Sequence, residues 1–270
     1  MRKIPVSDLQ AGMIPAQTIY DSKGTILIAR GISLTQSYIN RLRKFSIREV
    51  LITSNDEEKQ FASIFSPMAE KAASHAQNLI SELSTHRTVN IEKTSFKIEQ
   101  VIYAALERAP LQPYLEMMSQ NELLYTHSLR TAILSVNLGL AKGYDYLNLD
   151  FLATCALLHD CGMGDIFCED DNTHAFEGFI KIRNNTSLEM LTALVCLQHH
   201  ERFDGQGTPL GFYKYQITEF SRLIAVADYY ERLVSLQNNT PRQAVFKLAA
   251  GGGTMFDPDM VKLFETTLAG

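Results

Sequence analysis

The chain of 270 residues has no tryptophan, only four cysteines and no excess of positive charge. Each absence excludes something. Cys155, Cys161, Cys168 and Cys196 form no Cys-x-x-Cys pair, so reduced thiols in a cytosolic chain are expected. The formal charge of −5 argues against a DNA-binding face, which would be basic. No run of ~20 apolar residues exists to span a bilayer, and Met1-Arg2-Lys3-Ile4-Pro5 is not followed by the apolar region of a signal peptide. The expectation is a cytoplasmic protein without a membrane segment. There is no internal repeat and no low-complexity tract. What is present is 46% hydrophobic content, sufficient for a large core in a chain longer than one typical domain.

Histidine is scarce as well, which makes its placement informative. Of seven histidines, five fall in one set with two aspartates: His127, His159, Asp160, His174, His199, His200 and Asp228. His159-Asp160 ends the apolar run Phe151 to Leu158, and Asp228 follows Leu223-Ile224-Ala225-Val226-Ala227. Such runs belong inside a protein. An imidazole or carboxylate buried there without a partner costs roughly 2–7 kcal/mol, and a cation would neutralise the group. A second pair, His199-His200, ends the apolar stretch Leu188 to Leu197 and opens a loop broken by Gly205, Gly207, Pro209 and Gly211. Loops of this kind carry function on rigid supports. The nitrogen-rich, thiolate-free set suits iron, manganese or zinc better than calcium or magnesium.

His159-Asp160-Cys161-Gly162, followed by the run His199-His200-Glu201-Arg202-Phe203-Asp204-Gly205-Gln206-Gly207-Thr208-Pro209, resembles the HD-GYP branch of the HD-domain phosphohydrolases. Tyr125-x-His127, His174-x-x-x-Gly178, Arg222 to Asp228 and Gly253-Thr254-x-Phe256-Asp257-Pro258 resemble further motifs of that family, so the likeness runs from about Tyr125 to Pro258. It implies an all-helical HD-domain fold, a centre of two or three metal ions, iron first with manganese or zinc as alternatives, and hydrolysis of cyclic di-GMP. On the family pattern His127, His159 and Asp228 serve one ion and His174, His199 and His200 the other, with Asp160 bridging as a catalytic carboxylate. Glu201, Arg202, Asp204, Gly205, Gly207, Thr208, Pro209 and Met163 are then the candidates for substrate contact or for support of the ligands; for Arg202 and Asp204 the plainer reading is that they tie down the loop.

The chain also departs from that pattern. Active members carry lysine two residues after the cysteine position and tyrosine before the proline, where this chain has Met163 and Thr208. A lysine could meet a phosphate oxygen as a point charge; methionine can only pack. The segment between Asp160 and His174 is short, and Leu236 to Pro241 replaces an Arg-rich stretch. Leu123 stands where trinuclear members place a glutamate, and Glu122 is out of phase, so two ions are expected. The complete ligand set points to a cyclic di-GMP phosphodiesterase, slowed by Met163 and Thr208. The alternative is a catalytically silent signalling or protein-interaction module that retains metal and works on a signalling protein partner.

Composition divides the chain into residues 1–54, a small mixed α/β accessory module; 55–90, a helical connector in which His75 and His86 are solvated; and 91–270, the helical metal-binding domain. In the first, 12–20 and 25–29 read as strands around the Asp21 to Gly24 turn, Thr35 caps a helix to about Lys44, and Glu49 to Ile52 reads as a further strand. A homodimer through the module or the connector fits this division, as does a sensory role. Beyond Ile91, apolar spacing of three and four predicts helices over 96–107, 114–142, 147–158, 174–183, 188–197, 218–236, 241–250 and 257–268. The predicted fold class is mainly α with a small N-terminal α/β domain.

Overall fold

The computed structural model describes residues 2–17, 19–20, 26–28, 34, 36–45, 47–52, 91–106, 108–163, 173–185 and 187–268. The chain forms two compact units, Met1–Ala73 and Ser74–Gly270. The turn expected at Asp21 to Gly24, the Thr35 cap, the connector with His75 and His86, and Cys168 lie outside the described residues.

In the first unit, β1 (Arg2–Pro5) pairs antiparallel with β4 (Glu49–Ile52), in register from Arg2 opposite Ile52 to Pro5 opposite Glu49. A second ladder joins β2 (Ile19–Tyr20) and β3 (Ile26–Ile28), and α1 spans Gln36–Lys44. Ile4, Leu27, Ile28, Ile39, Leu42, Val50 and Ile52 are buried and form its core. The strand expected over 12–20 shrinks to Ile19–Tyr20. Pro15 has no N–H to donate and makes only an isolated bridge to Ile52. Strand β1 went unforeseen because its partner lies far along the chain.

The second unit is helical: α2 (Ile91–Leu106), α3 (Gln112–Ser119), α4 (Glu122–Lys142), α5 (Tyr146–Leu158), α6 (Thr173–Arg183), α7 (Met190–Gln198), α8 (Glu219–Ser235), α9 (Pro241–Ala250) and α10 (Pro258–Leu268). The fold class is the expected one. Helix α5 buries Leu149, Leu152, Ala153, Cys155, Ala156, Leu157 and Leu158. An apolar surface all round requires neighbours on all sides, and α2, α4 and α7 supply them. Helix α4 also packs on α8, and α6 pairs with α7.

The single helix expected over 114–142 is two. Asn121 leaves the helical region, and its side chain accepts hydrogen bonds from the Leu123 and Leu124 amides at 3.1 and 3.2 Å. That is an N-cap, which satisfies amides the new helix cannot pair internally. Among the described residues, no helix is long and apolar enough to cross a membrane.

Candidate metal centre

The centre of the second unit is where five helices deliver polar side chains into apolar surroundings. Helix α4 carries His127, and α5 ends at His159 with Asp160 next in sequence. His174 lies in the first turn of α6, His199 ends α7 with His200 beside it, and Asp228 lies within α8. His127, His159, Asp160, His174, His199 and Asp228 are buried, and His200 is half-buried. All seven residues singled out from the sequence converge here.

Local helix chemistry fixes how two of the imidazoles point. The last carbonyls of a helix lack partners within it. His159 Nδ1 donates to Ala156 O at 2.8 Å, and His199 Nδ1 donates to Cys196 O at 2.7 Å. In the neutral ring each Nε2 is then left with a lone pair facing inward. His159 Nε2 lies 3.3 Å from Asp160 Oδ2, and His199 Nε2 lies 3.1 Å from Asp160 Oδ1. His174 Nε2 stands 3.3 Å from the same Oδ1, 3.2 Å from His199 Nε2 and 3.0 Å from His200 Nε2. On the other side, His127 Nε2 is 3.5 Å from Asp160 Oδ2 and 2.9 Å from Asp228 Oδ1. Asp160 thus turns one oxygen toward each of two histidine groups: His174, His199 and His200 on one side, His127 and His159 on the other.

Electron pairs gathered this closely repel unless positive charge lies among them. His159 Nε2 and Asp160 Oδ1 are buried with no hydrogen-bond partner, an arrangement that ordinarily costs free energy. Burial opposes a charge on His159, yet adjacent Asp160 outweighs it and raises the pKa to about 10. Burial would raise the Asp160 pKa, but the imidazoles around it, His159 foremost, hold it well below the usual carboxylate range. His200, chiefly through burial and then through His199, is driven down to about 2 and is neutral. The site calls for positive charge, which the proton on His159 supplies when no ion is bound. The residues fit a divalent transition metal, which would take that proton's place, since metal ligands must be deprotonated and binding releases protons.

Close packing brings α6 to this point. A side chain on Gly162 would put its Cβ 1.9 Å from His174 O and 2.4 Å from Gly178 N. Only glycine allows the turn after Asp160 to lie against α6, which sets His174 beside Asp160. Met163 closes that turn through its amide, which donates to Asp160 O at 2.9 Å, and its side chain is 4% exposed. It packs inward. Residues 164–172, most of the short segment between Asp160 and His174, lie outside the described residues.

Two neighbours went unnoticed in the sequence. Glu231 is buried and hydrogen-bonds His127 Nδ1, the outer partner a ligating imidazole needs to hold its ring. Arg232, also buried, places Nε 2.8 Å from Asp228 Oδ1 and Nη2 3.3 Å from Asp160 Oδ2. Burial would raise the Asp228 pKa, but Arg232 first and His127 next hold its carboxyl well below the ordinary range. The signal was spacing: Glu231 and Arg232 follow Asp228 by three and four, one turn further along the same helix.

The loop after His200 is organised around itself. Glu201 is buried and accepts from the Leu210 and Phe212 amides at 2.7 and 2.9 Å. Arg202 grips Asp204 with two bonds of 3.1 and 2.6 Å, and Asp204 also accepts from the Gln206 amide. The hydrogen bonds of these three residues therefore tie the loop. Gly205 adopts a φ of 78°. At Gly207 a Cβ would come within 2.2 Å of Arg202 N, so only glycine lets the loop cross over itself there. Thr208 and Pro209 are joined by a cis peptide bond and are exposed. The C-terminal motif braces the loop, as the Phe203 and Asp204 amides donate to Met255 O and Thr254 O. Asp257 in turn accepts from Arg222 Nε at 2.8 Å.

Comparison with known proteins agrees with this geometry. Residues 124–233 match the HD domain family model. A cyclic di-GMP phosphodiesterase of Thermotoga maritima is 33% identical over 96 residues, covering 34% of this chain and 26% of that protein. The cyclic di-GMP phosphodiesterase response regulator RpfG of Xanthomonas campestris pv. campestris is 40% identical over 73 residues, 26% of this chain and 19% of that one. The chain spans about a quarter or less of these curated relatives. Bd1817, an HDG"Y"P protein from Bdellovibrio bacteriovorus, has a similar fold, with a TM-score of 0.53 at 18% identity, covering 100% of this chain and 99% of its own. The stretch 124–233 within the helical unit is thus similar to an HD domain, and it contains the His159-Asp160 pair and the His199 to Pro209 run.

Proposed function

We propose that this protein is a divalent-metal-dependent phosphodiesterase that hydrolyses a cyclic dinucleotide, cyclic di-GMP foremost. The observation that carries the reading is Asp160, whose two oxygens face two separate histidine groups at 3.1–3.5 Å. His174, His199 and His200 would hold one ion and His127, His159 and Asp228 a second, with Asp160 common to both; iron is the first candidate, manganese or zinc the alternatives. Such ions polarise a phosphoryl oxygen and lower the pKa of water. The chain's own residues do the rest. Nδ1–H bonds from His159 and His199 to helix-end carbonyls keep both Nε2 atoms directed inward, and Glu231 holds the His127 ring. Half-buried His200 marks the side open to solvent, and the exposed Thr208–Pro209 tip lies on the loop that follows it. Residues 1–54 are read as an accessory module and 55–90 as a connector, either of which would serve a homodimer.

One observation favours a second reading, a silent signalling module that keeps its metal. Met163 packs inward and offers no charge to a phosphate. The test is turnover of cyclic di-GMP by metal-loaded wild type against Asp160→Ala. Metal-dependent cleavage in the wild type alone supports the enzyme; equal background rates in both reject it.

A further inference from the structure

Beyond Pro209 the chain turns back beside the strand of residues that leaves His200. Asp204 bridges Tyr213, the Lys214 amide donates to Phe203 O at 3.1 Å, and the Glu201 carboxylate takes the Leu210 and Phe212 amides. Residues 210–214 are thereby laid against 201–204, which follow directly on half-buried His200. The next turn is locked as well. The Tyr213 amide donates to Gln216 Oε1 at 2.8 Å, and the Ile217 amide donates to Lys214 O at 3.1 Å.

Two features of this turn cost free energy that its own contacts do not repay. Lys214 holds φ at 49°, the left-handed region that a lysine enters only under constraint. Among the described residues the other non-glycine with positive φ is Asn238, and asparagine tolerates that region. Tyr213 and Tyr215 are 49% and 71% exposed. A single exposed ring is ordinary, but these two flank the constrained lysine and each carries a cation on its ring. Lys214 Nζ lies 4.8 Å from the Tyr213 centroid, and the Arg222 guanidinium carbon lies 5.0 Å from that of Tyr215. Phe203 meets the Tyr215 ring edge-on at 5.8 Å. The rings are held in place and still offer surface to solvent.

A fixed aromatic face takes a nucleobase by stacking, and an exposed ammonium meets a phosphate oxygen as a point charge. Asp204, opposite Tyr213, is already paired with Arg202 and leaves the Lys214 charge uncompensated. Met163 packs inward and Thr208 carries no ring, so a dinucleotide at the metal centre would need its aromatic and cationic partners from elsewhere on the rim. Resting on the phosphodiesterase reading, we propose that Tyr213, Lys214 and Tyr215 are substrate-binding residues, the tyrosine rings stacking a purine base of the cyclic dinucleotide while the Lys214 ammonium meets its phosphate. The constrained backbone at Lys214 sets the ammonium between the two rings.

The test is calorimetric titration of the full-length, chelator-treated chain with cyclic di-GMP, where no turnover intervenes, with the melting temperature of each variant as the control for folding. Tyr215→Leu and the double variant Tyr213→Leu/Tyr215→Leu should bind about tenfold or more weakly, as loss of a stacked base does, whereas Tyr215→Phe, which keeps the ring, should bind like wild type. Lys214→Gly is the sharper probe. Glycine suits the left-handed backbone, so this variant should melt no lower than wild type and yet bind about tenfold more weakly, the loss of one charge-assisted contact. In metal-loaded protein the same variants should raise KM more than they lower kcat. Wild-type affinity in folded Tyr215→Leu and Lys214→Gly would overturn the proposal, and so would absence of binding by the wild type. A chain that binds through this rim but cleaves nothing when metal-loaded keeps this inference and rejects the phosphodiesterase. Cleavage with an unchanged KM in the variants does the reverse.

Discussion

His159, Asp160 and Asp228 lie buried where five helices meet, whereas Thr208, Pro209 and Leu210 stand exposed a few residues beyond His200. Both belong to one motif-bearing region, yet the buried part holds all seven candidate ligands together while the rim carries Thr208 where the HD-GYP pattern has tyrosine. In the interior the polar groups face one another closely, His127 bonded to Glu231, Asp228 to Arg232 and Asp160 within 3.5 Å of four imidazoles, so a single loss changes the surroundings of several groups. The rim has no such dependence. Glu201 and the Arg202–Asp204 pair hold the loop by its backbone, and the side chain at 208 is free to change without disturbing that scaffold. On the proposed function, the metal centre and the substrate contacts can therefore diverge independently.

Substitutions sharpen this contrast. The largest effect is expected from Asp160→Ala, which removes the carboxylate both histidine groups face and should cost about 3–5 kcal/mol, as breaking a buried charge network does; chemical denaturation checks it, and an unchanged midpoint would erase the distinction between interior and rim. Met163→Lys comes next. Because that side chain packs inward, a lysine there buries an amine and should lower stability by roughly 2–4 kcal/mol, with melting temperature as the measurement. A stable variant with faster turnover would instead place position 163 on the substrate side. Glu231→Gln is a milder interior change. Loss of the charged partner of His127 should weaken metal binding on that side by about 10- to 100-fold while the His174 side keeps its ion, as a metal titration would resolve. Smallest is Thr208→Tyr on the exposed rim, expected within about 0.5 kcal/mol of wild type and without effect on metal content; any effect on it would be seen in the KM for cyclic di-GMP.

The clustering of the candidate ligands was legible from sequence because histidine is rare in this chain and because His159-Asp160, His199-His200 and Asp228 each end or interrupt an apolar run. The helical fold followed from apolar spacing, with Thr218 and Pro241 marking helix starts where the structure has them. What escaped were relations across the fold. Glu231 and Arg232 belong to no motif that marks them, and they are buried where α8 packs against α4. The break between α3 and α4 contains neither glycine nor proline, so the Asn121 cap was its only mark. Met163 was weighed as a lost substrate contact; its burial depends on the tight turn that Gly162 permits against α6, a long-range packing relation that spacing does not encode.

The central claim is that the cluster around Asp160 exists to hold metal. Its most direct test is elemental analysis of the purified full-length chain together with its melting temperature before and after chelation. The account predicts at least one ion of iron, manganese or zinc per chain and a lower melting temperature once it is stripped, restored on reloading. A chain that carries no metal after purification with these ions supplied, and melts at the same temperature with and without chelator, would contradict it.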